Sequence, residues 1–187
     1  MQASAMSSGA RHILLCVCGG IAAYKAAELV RRLRDGAATE VIVAMTENAQ
    51  RFVGAQTFQA LSGQPVRTSL WDASAEAAMG HLELARWADQ VIIAPATANS
   101  IARLAHGLAD DLVSTLCLAT TAPITIAPAM NHRMWLHPAT QDNIATLRSR
   151  GVQVIGPNDG PLAEGESGPG RMAEPAEIIA ALKGAGS

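Results

Sequence analysis

His81 and Glu83 form an H-x-E triplet. A neutral imidazole is the side chain best suited to take up a proton near pH 7. The same triplet occurs in zinc deaminases, but the downstream P-C-x-x-C that those sites require is absent, so no metal centre is expected. His81 is read here as lying in a loop ahead of the Trp87–Asp89 segment, where a histidine can equally be a plain surface group. Asn131 stands in the unusual run Pro128-Ala129-Met130-Asn131-His132-Arg133-Met134-Trp135. An amide there can bond a carboxylate or the edge of a cofactor, whereas Met134 and Trp135 also suit a core patch. Thr97, Asn99 and Ser100 open a helix directly after an apolar strand, so they can cap that helix or hold a phosphate at its N-terminus. Gly19-Gly20 allows backbone to approach a ligand closely or simply makes a tight turn.

These groups need a frame. Ile13 to Val17 reads as a buried strand ending at Gly19-Gly20, and Ala22, Ala26, Leu29, Val30 and Leu33 recur at helical spacing. Val41 to Met45 is a second strand, completing a β-α-β unit with a right-handed crossover. Strands follow at Val91 to Ala94, Ile124 to Ala127 and Val152 to Ile155, with a short one at Val66 to Ser69. Helices are expected around Phe58 to Leu61, Asn99 to Ala105, Leu112 to Ala119, Ala139 to Arg150 and Ala176 to Leu182. Such alternation predicts an α/β fold, a parallel sheet with helices on both faces. Ligands bind such sheets at the C-terminal strand ends, where Gly19-Gly20, Thr46-Glu47-Asn48, Thr97 to Ser100 and Ala129 to Asn131 all fall. Gly156 to Gly170 holds five Gly and three Pro and reads as a loop long enough to act as a flap.

The 187 residues suit one domain over 12–187, with a flap at about 156–172 and a disordered tail over 1–11. That tail lacks an apolar stretch and does not read as a signal peptide. A net charge of −2 without a basic stripe argues against a nucleic-acid surface. No run reaches the roughly 18 apolar residues of a membrane helix. The charged fraction of 16% suggests surface hidden in an oligomer. Cys16, Cys18 and Cys117 are too few for a disulfide framework and fit a reducing, cytoplasmic setting; Cys16 and Cys18 share one strand face and should pack in the core. The Gly-Gly turn is not G-x-G-x-x-G, and there is no Walker A motif, which weakens dinucleotide and NTPase readings.

Several pieces together resemble the homo-oligomeric flavin-containing cysteine decarboxylases. They are Gly19-Gly20-Ile21-Ala22-Ala23-Tyr24-Lys25, His81-Leu82-Glu83-Leu84, Ala94-Pro95-Ala96-Thr97-Ala98-Asn99-Ser100, Pro128-Ala129-Met130-Asn131 with Met134-Trp135, and Gly168-Pro169-Gly170-Arg171-Met172. The last piece is similar to the phosphopantothenoylcysteine decarboxylase branch, which includes the amino-terminal half of a bifunctional bacterial coenzyme A enzyme. The resemblance implies a Rossmann-like, flavodoxin-like fold with FMN at a trimer interface, in a trimer or dodecamer. It matches Gly19, Gly20, Ile21, Thr46, Glu47, Asn48, Thr97, Ala98, Asn99, Ser100, Ser114 and Ala129 to the flavin. It matches His81 to the catalytic histidine and Asn131 to the residue that binds the substrate carboxylate, with Met134 and Arg171 also on the substrate side. In that chemistry the cysteine moiety of 4′-phosphopantothenoylcysteine is oxidised to a thioaldehyde, carbon dioxide leaves, and the resulting enethiol is reduced to 4′-phosphopantetheine.

One departure stands out. The family flap carries a cysteine in an A-C-G context, and this chain has Ala163-Glu164-Gly165. A carboxyl group cannot replace a thiol as a redox partner, but it can pass a proton, so Glu164 joins the catalytic candidates. The resemblance also implies a phosphopantothenoylcysteine ligase, as a further domain or a separate partner; with the sequence stopping near Leu182, a piece of such a longer protein and a stand-alone enzyme both stay open. Glu164 also keeps open a peptidyl-cysteine decarboxylase that releases an enethiol. A non-catalytic regulatory flavin-fold subunit fits less well with both His81 and Asn131 present. A flavin-prenylating relative lacks the P-A-M-N and flap patterns.

Overall fold

The computed structural model describes residues 10–35, 38–73 and 79–184. β1 spans Arg11–Val17, α1 Ala23–Arg34, β2 Thr39–Met45 and α2 Ala55–Ser62, with a short 3-10 helix at Glu47–Arg51 between them. α3 (His81–Trp87), β3 (Gln90–Ala96), α4 (Ala98–His106), α5 (Leu112–Ala119) and β4 (Ile124–Pro128) follow. The chain continues through α6 (His132–Leu136), α7 (Pro138–Ser149), β5 (Gln153–Val154), β6 (Asn158–Pro161), β7 (Ser167–Arg171) and α8 (Pro175–Gly184). Arg11 therefore opens a strand, while the rest of the expected tail, residues 1–9, lies outside the described residues.

The main sheet has five parallel strands in the order β2-β1-β3-β4-β5. Each of the first four strands of that sheet is followed by a crossover, as a parallel pairing requires. The near-continuous apolar strands are explained by cover on both faces. Alternation along β1 sorts its side chains. Ile13, Leu15 and Val17 face α1, α2 and α8 through Leu29, Val30, Phe58 and Ile178. Leu14 and Cys16 face the other layer, with Leu84, Ile101, Leu116, Ile144 and Leu147. β3 repeats the division, Ile92 and Ala94 on the first face, Val91 and Ile93 on the second.

The sequence pattern misleads at two places. Val66 to Ser69 forms no strand; Arg67 alone bridges to Ala44 beside β2, through Arg67 N–H to the Val43 carbonyl at 2.9 Å and Met45 N–H to the Arg67 carbonyl at 2.8 Å. The Gly/Pro-rich stretch read as a loop instead contains an antiparallel hairpin, β6 paired with β7. Its pairing is made by backbone alone, so no period-two apolar pattern announces it.

A polar ladder crosses the sheet near the strand starts. Gln90 Nε2 donates to Thr125 Oγ1 at 3.1 Å, and the Thr125 hydroxyl donates to Gln153 Oε1 at 3.0 Å. Thr125 is buried and joins the two amides; Gln90 Nε2 also donates to the Pro123 carbonyl at 2.9 Å, so Gln153 Oε1 is the atom that loses its partner when the hydroxyl is removed. Thr125→Val should therefore destabilise the protein by about 1 kcal/mol, the cost of leaving that acceptor unpaired. Thr125→Ser should recover most of it, as read from urea unfolding midpoints.

Candidate active site

In a sheet of this order the first crossover leaves β1 on one side and the next leaves β3 on the other, opening a crevice between their C-terminal ends. α1 packs on the first face and α4 on the second. The crevice is a cavity of about 750 Å³, within the usual range for small-molecule and cofactor sites. Its wall takes in Gly19, Gly20 and Ile21 after β1, Thr46, Glu47 and Asn48 after β2, Thr97 to Ser100 after β3, and Ala129, Met130 and Asn131 after β4. The four strand ends named from the sequence thus converge in one place.

Local chemistry explains the shape. A Cβ on Gly19 would lie 2.5 Å from Asn48 Cβ and 2.7 Å from its carbonyl carbon, so only glycine lets the turn after β1 rest on the turn after β2. At Gly20 nothing stands within 4 Å of such an atom, which leaves bare backbone facing open space. Thr97 caps α4, its Oγ1 accepting from Ser100 N–H at 3.3 Å. The remaining N–H groups of that first turn have no partner within the helix and favour an anion. Two glycine-lined turns, a capped helix start and a mixed polar and apolar wall fit FMN, which these residues would hold through backbone N–H groups, hydroxyls and amides.

The floor beneath Ser100 holds a thiol. Ser100 Oγ donates to Cys18 Sγ at 3.0 Å. Burial pushes the Cys18 thiol up to about 12, against the opposing pull of the Ser100 hydroxyl. Cys16 is also raised, chiefly by its hydrogen bond with Cys117 and then by burial. All three cysteines are buried and free, so none is exposed where it could stand in for a flap cysteine.

The hairpin forms the opposite wall with Pro161, Leu162, Ala163, Glu164, Gly170 and Arg171. It is pinned to the loop after β4: Met130 N–H donates to the Gly170 carbonyl at 3.0 Å, and a Cβ on Gly170 would lie 2.2 Å from the Met130 oxygen. Glu174 ties its base to α1, bonding Lys25 Nζ at 2.6 Å and Arg171 at 3.3 Å. Asn131 Oδ1 accepts from Arg133 N–H at 2.8 Å, which leaves the amide Nδ2 as the end that faces an anion; Glu166 Oε2 lies 3.3 Å from it. Met134 completes this side.

Two of the expected residues are not brought to the cavity wall. Ser114 is buried in a capping box, its hydroxyl donating to Asp111 Oδ1 at 2.7 Å, so Asp111 faces the cavity in its stead. His81 is the first residue of α3, a helix rather than the loop expected, and α3 packs on α5. Tyr24, Lys25, Arg103, Asp110 and Asp111 line the cavity without having been singled out. Lys25 lies one helical turn beyond Ile21, and Asp111 was readable as a helix N-cap. Arg103 pairs with both Asp110 and Asp111, a contact between distant turns that no spacing rule shows.

A sequence model of the Flavoprotein family matches residues 1–186. The chain is 57% identical over 174 residues to the coenzyme A biosynthesis bifunctional protein CoaBC of Escherichia coli (strain K12), which covers 93% of this chain and 43% of that protein. The chain therefore spans less than half the length of the curated relative it matches. A cysteine-to-serine mutant of PPC decarboxylase complexed with pantothenoylaminoethenethiol superposes with a TM-score of 0.80 at 31% identity, over 93% of this chain and 97% of that one. The FMN-dependent cysteine decarboxylase SpaF gives a TM-score of 0.77 at 31% identity, over 95% and 98%.

The two glycines make separable expectations. Gly19→Ala should force the turns apart at a cost of about 1–3 kcal/mol, lowering both the thermal midpoint and the FMN retained on purification. Gly20→Ala should keep the midpoint and lose FMN alone, as followed by absorbance of the purified protein.

Proposed function

The chain belongs to the flavoprotein family, and from that premise we propose that it decarboxylates 4′-phosphopantothenoylcysteine with FMN, on the route to 4′-phosphopantetheine in coenzyme A biosynthesis. The observation that carries this reading is the meeting of the glycine-lined strand-end crevice, the Asn131 amide and the G-P-G-R-M strand in one cavity. The likeness to CoaBC and to PPC decarboxylase supports the substrate and the carboxy-lyase activity. Because the relative is bifunctional, a phosphopantothenoylcysteine ligase belongs to the same reading, as a linked domain or a partner. Among the described residues no helix is long and apolar enough to cross a membrane, and the cytoplasm is the compartment this reading assigns.

In this mechanism Gly19, Gly20, Ile21, Thr46, Glu47, Asn48, Thr97 to Ser100 and Ala129 hold the cofactor, with Ser114 acting through Asp111. The chemistry that FMN supplies when bound is two-electron oxidation of the cysteine moiety, which gives the sulfur-bearing carbon the electron-sink character that lets carbon dioxide leave. Asn131 Nδ2 donates to the substrate carboxylate, and Met134 and Arg171 position the rest of the substrate. Closure of the hairpin over the cavity excludes water from the departing group.

His81 accepts a proton from the cysteine moiety, and a second copy of the chain brings it to the cavity. Exposed apolar side chains on the cavity wall support that assembly: Ile21 is 63% exposed, Tyr24 61% and Met134 49%. They are the kind of surface that an oligomer contact covers. A homotrimer, or a dodecamer built from trimers, is the proposed state.

Glu164 stands exposed near the hairpin tip, where the family has its cysteine. It can deliver a proton to the enethiol carbon but cannot serve as a thiol donor. The related PPC decarboxylase mutant, which lacks a cysteine, holds an enethiol, and this parallel supports a slow final reduction here. The same residue favours the second reading, a peptidyl-cysteine decarboxylase in the manner of SpaF that stops at the enethiol.

Incubation with 4′-phosphopantothenoylcysteine and mass analysis of the product tests the substrate. Carbon dioxide release with wild-type protein supports the first reading, and inertness toward this substrate but not toward a cysteine-ended peptide supports the second. His81→Asn should reduce turnover by about 10²–10⁴-fold with FMN still bound. Glu164→Cys should raise the proportion of 4′-phosphopantetheine over the enethiol; an unchanged proportion would remove position 164 from the last step.

A further inference from the structure

The hairpin carries a second carboxylate that this mechanism leaves unused. Glu166 directly precedes β7, and its carbonyl accepts from Leu162 N–H at 2.8 Å, which closes the hairpin turn. Its side chain meets two donors in the segment after β4, with the ring of His132 close by but not hydrogen-bonded to it. Asn131 Nδ2 lies 3.3 Å from Oε2, Arg133 Nη2 lies 3.0 Å from Oε1, and His132 Nδ1 lies 3.3 Å from Oε2. The Glu166 carboxylate thus sits on the same amide to which the substrate carboxylate is assigned. That amide cannot turn to offer its other end without giving up the Arg133 N–H bond at 2.8 Å.

Two carboxylates on one Asn NH2 group repel, and in a half-desolvated pocket the repulsion outweighs what one more amide hydrogen bond returns. We propose that Glu166 is a specificity-determining residue: its carboxylate occupies the Asn131 amide in the free protein, must leave when the carboxylated substrate binds, and returns once carbon dioxide has gone. The inference rests on the substrate reading above. A ligand with a carboxylate binds against the contact that has to break. A ligand without one binds with Glu166 in place. The site therefore holds its substrate less tightly than its groups allow, and it couples the hairpin to the presence of the charge that the reaction removes. Interactions that disfavour the bound reactant and relax as it reacts favour turnover.

Binding to the FMN-loaded protein, measured by calorimetry with two unreactive probes, tests this directly. The first is 4′-phosphopantothenoylserine, with a hydroxyl in place of the thiol; the second is its decarboxylated ethanolamine counterpart. Glu166→Ala should bind the serine probe about three- to tenfold more tightly than wild type and leave the ethanolamine probe unchanged. Glu166→Gln, similar in size and neutral, should shift in the same direction, which separates loss of charge from loss of hairpin order. Circular dichroism and FMN content establish that both variants are folded. Equal shifts for both probes, no shift, or weaker binding of the serine probe by the variants would overturn the inference while leaving the substrate reading intact. Failure of wild-type protein to bind either probe would overturn the substrate reading, and this inference with it.

Discussion

The parting of α1 and α4 to opposite faces of the sheet is the constraint on which the rest of the molecule depends. It follows from alternation along β1 and β3, which sends Leu15 and Ile92 to one layer and Cys16 and Ile93 to the other. Both crossovers start at the same edge of a parallel sheet and turn to opposite faces, so the backbone from Gly19 and from Thr97 onward leaves the strand ladder. A crevice with bare backbone on two sides is the outcome. Gly19 lets the turn after β2 join them, and the capped start of α4 supplies an anion site at the far end.

The hairpin depends on that crevice in turn. Its own pairing is too small to hold it, since an isolated pair of strands is marginal in water. What fixes it is a set of polar contacts to the elements around the cavity: Met130 to Gly170, Lys25 and Arg171 to Glu174, and Glu166 to Asn131 and Arg133. These contacts are hydrogen bonds and ion pairs rather than buried apolar area, and such elements are drawn from the less stable end of a protein. A wall built this way can shift when a charged ligand arrives, while the sheet beneath it cannot.

The thiol inventory sharpens the position of this chain within its family. Each cysteine is buried in the layer that holds α4 and α5, and Cys18 stays protonated beneath Ser100. None can reach a substrate across the cavity. On the proposed function, the carboxylate at position 164 is the group that the hairpin offers in the place of the family cysteine, and a carboxylate can deliver a proton but cannot share in redox chemistry.

The order of strands and helices, the strand-end location of the site and the identity of most of its wall were legible in the sequence, because each depends on neighbours close along the chain. Apolar runs such as Ile13 to Val17 can only be buried strands here, and turns such as Gly19-Gly20 or Thr97 to Ser100 are defined by consecutive residues. The family motifs extended that reading to His81 and Asn131. Tertiary structure decided whatever depends on pairs of distant residues. Glu166 meets Asn131, Lys25 meets Glu174, Gly19 rests on Asn48, and His81 opens a helix away from its own cavity. A backbone-only hairpin hidden in glycine and proline likewise leaves no periodic trace. Side-chain type and spacing report local geometry, whereas a hydrogen bond across 35 residues of sequence exists only once the strands between have set its distance.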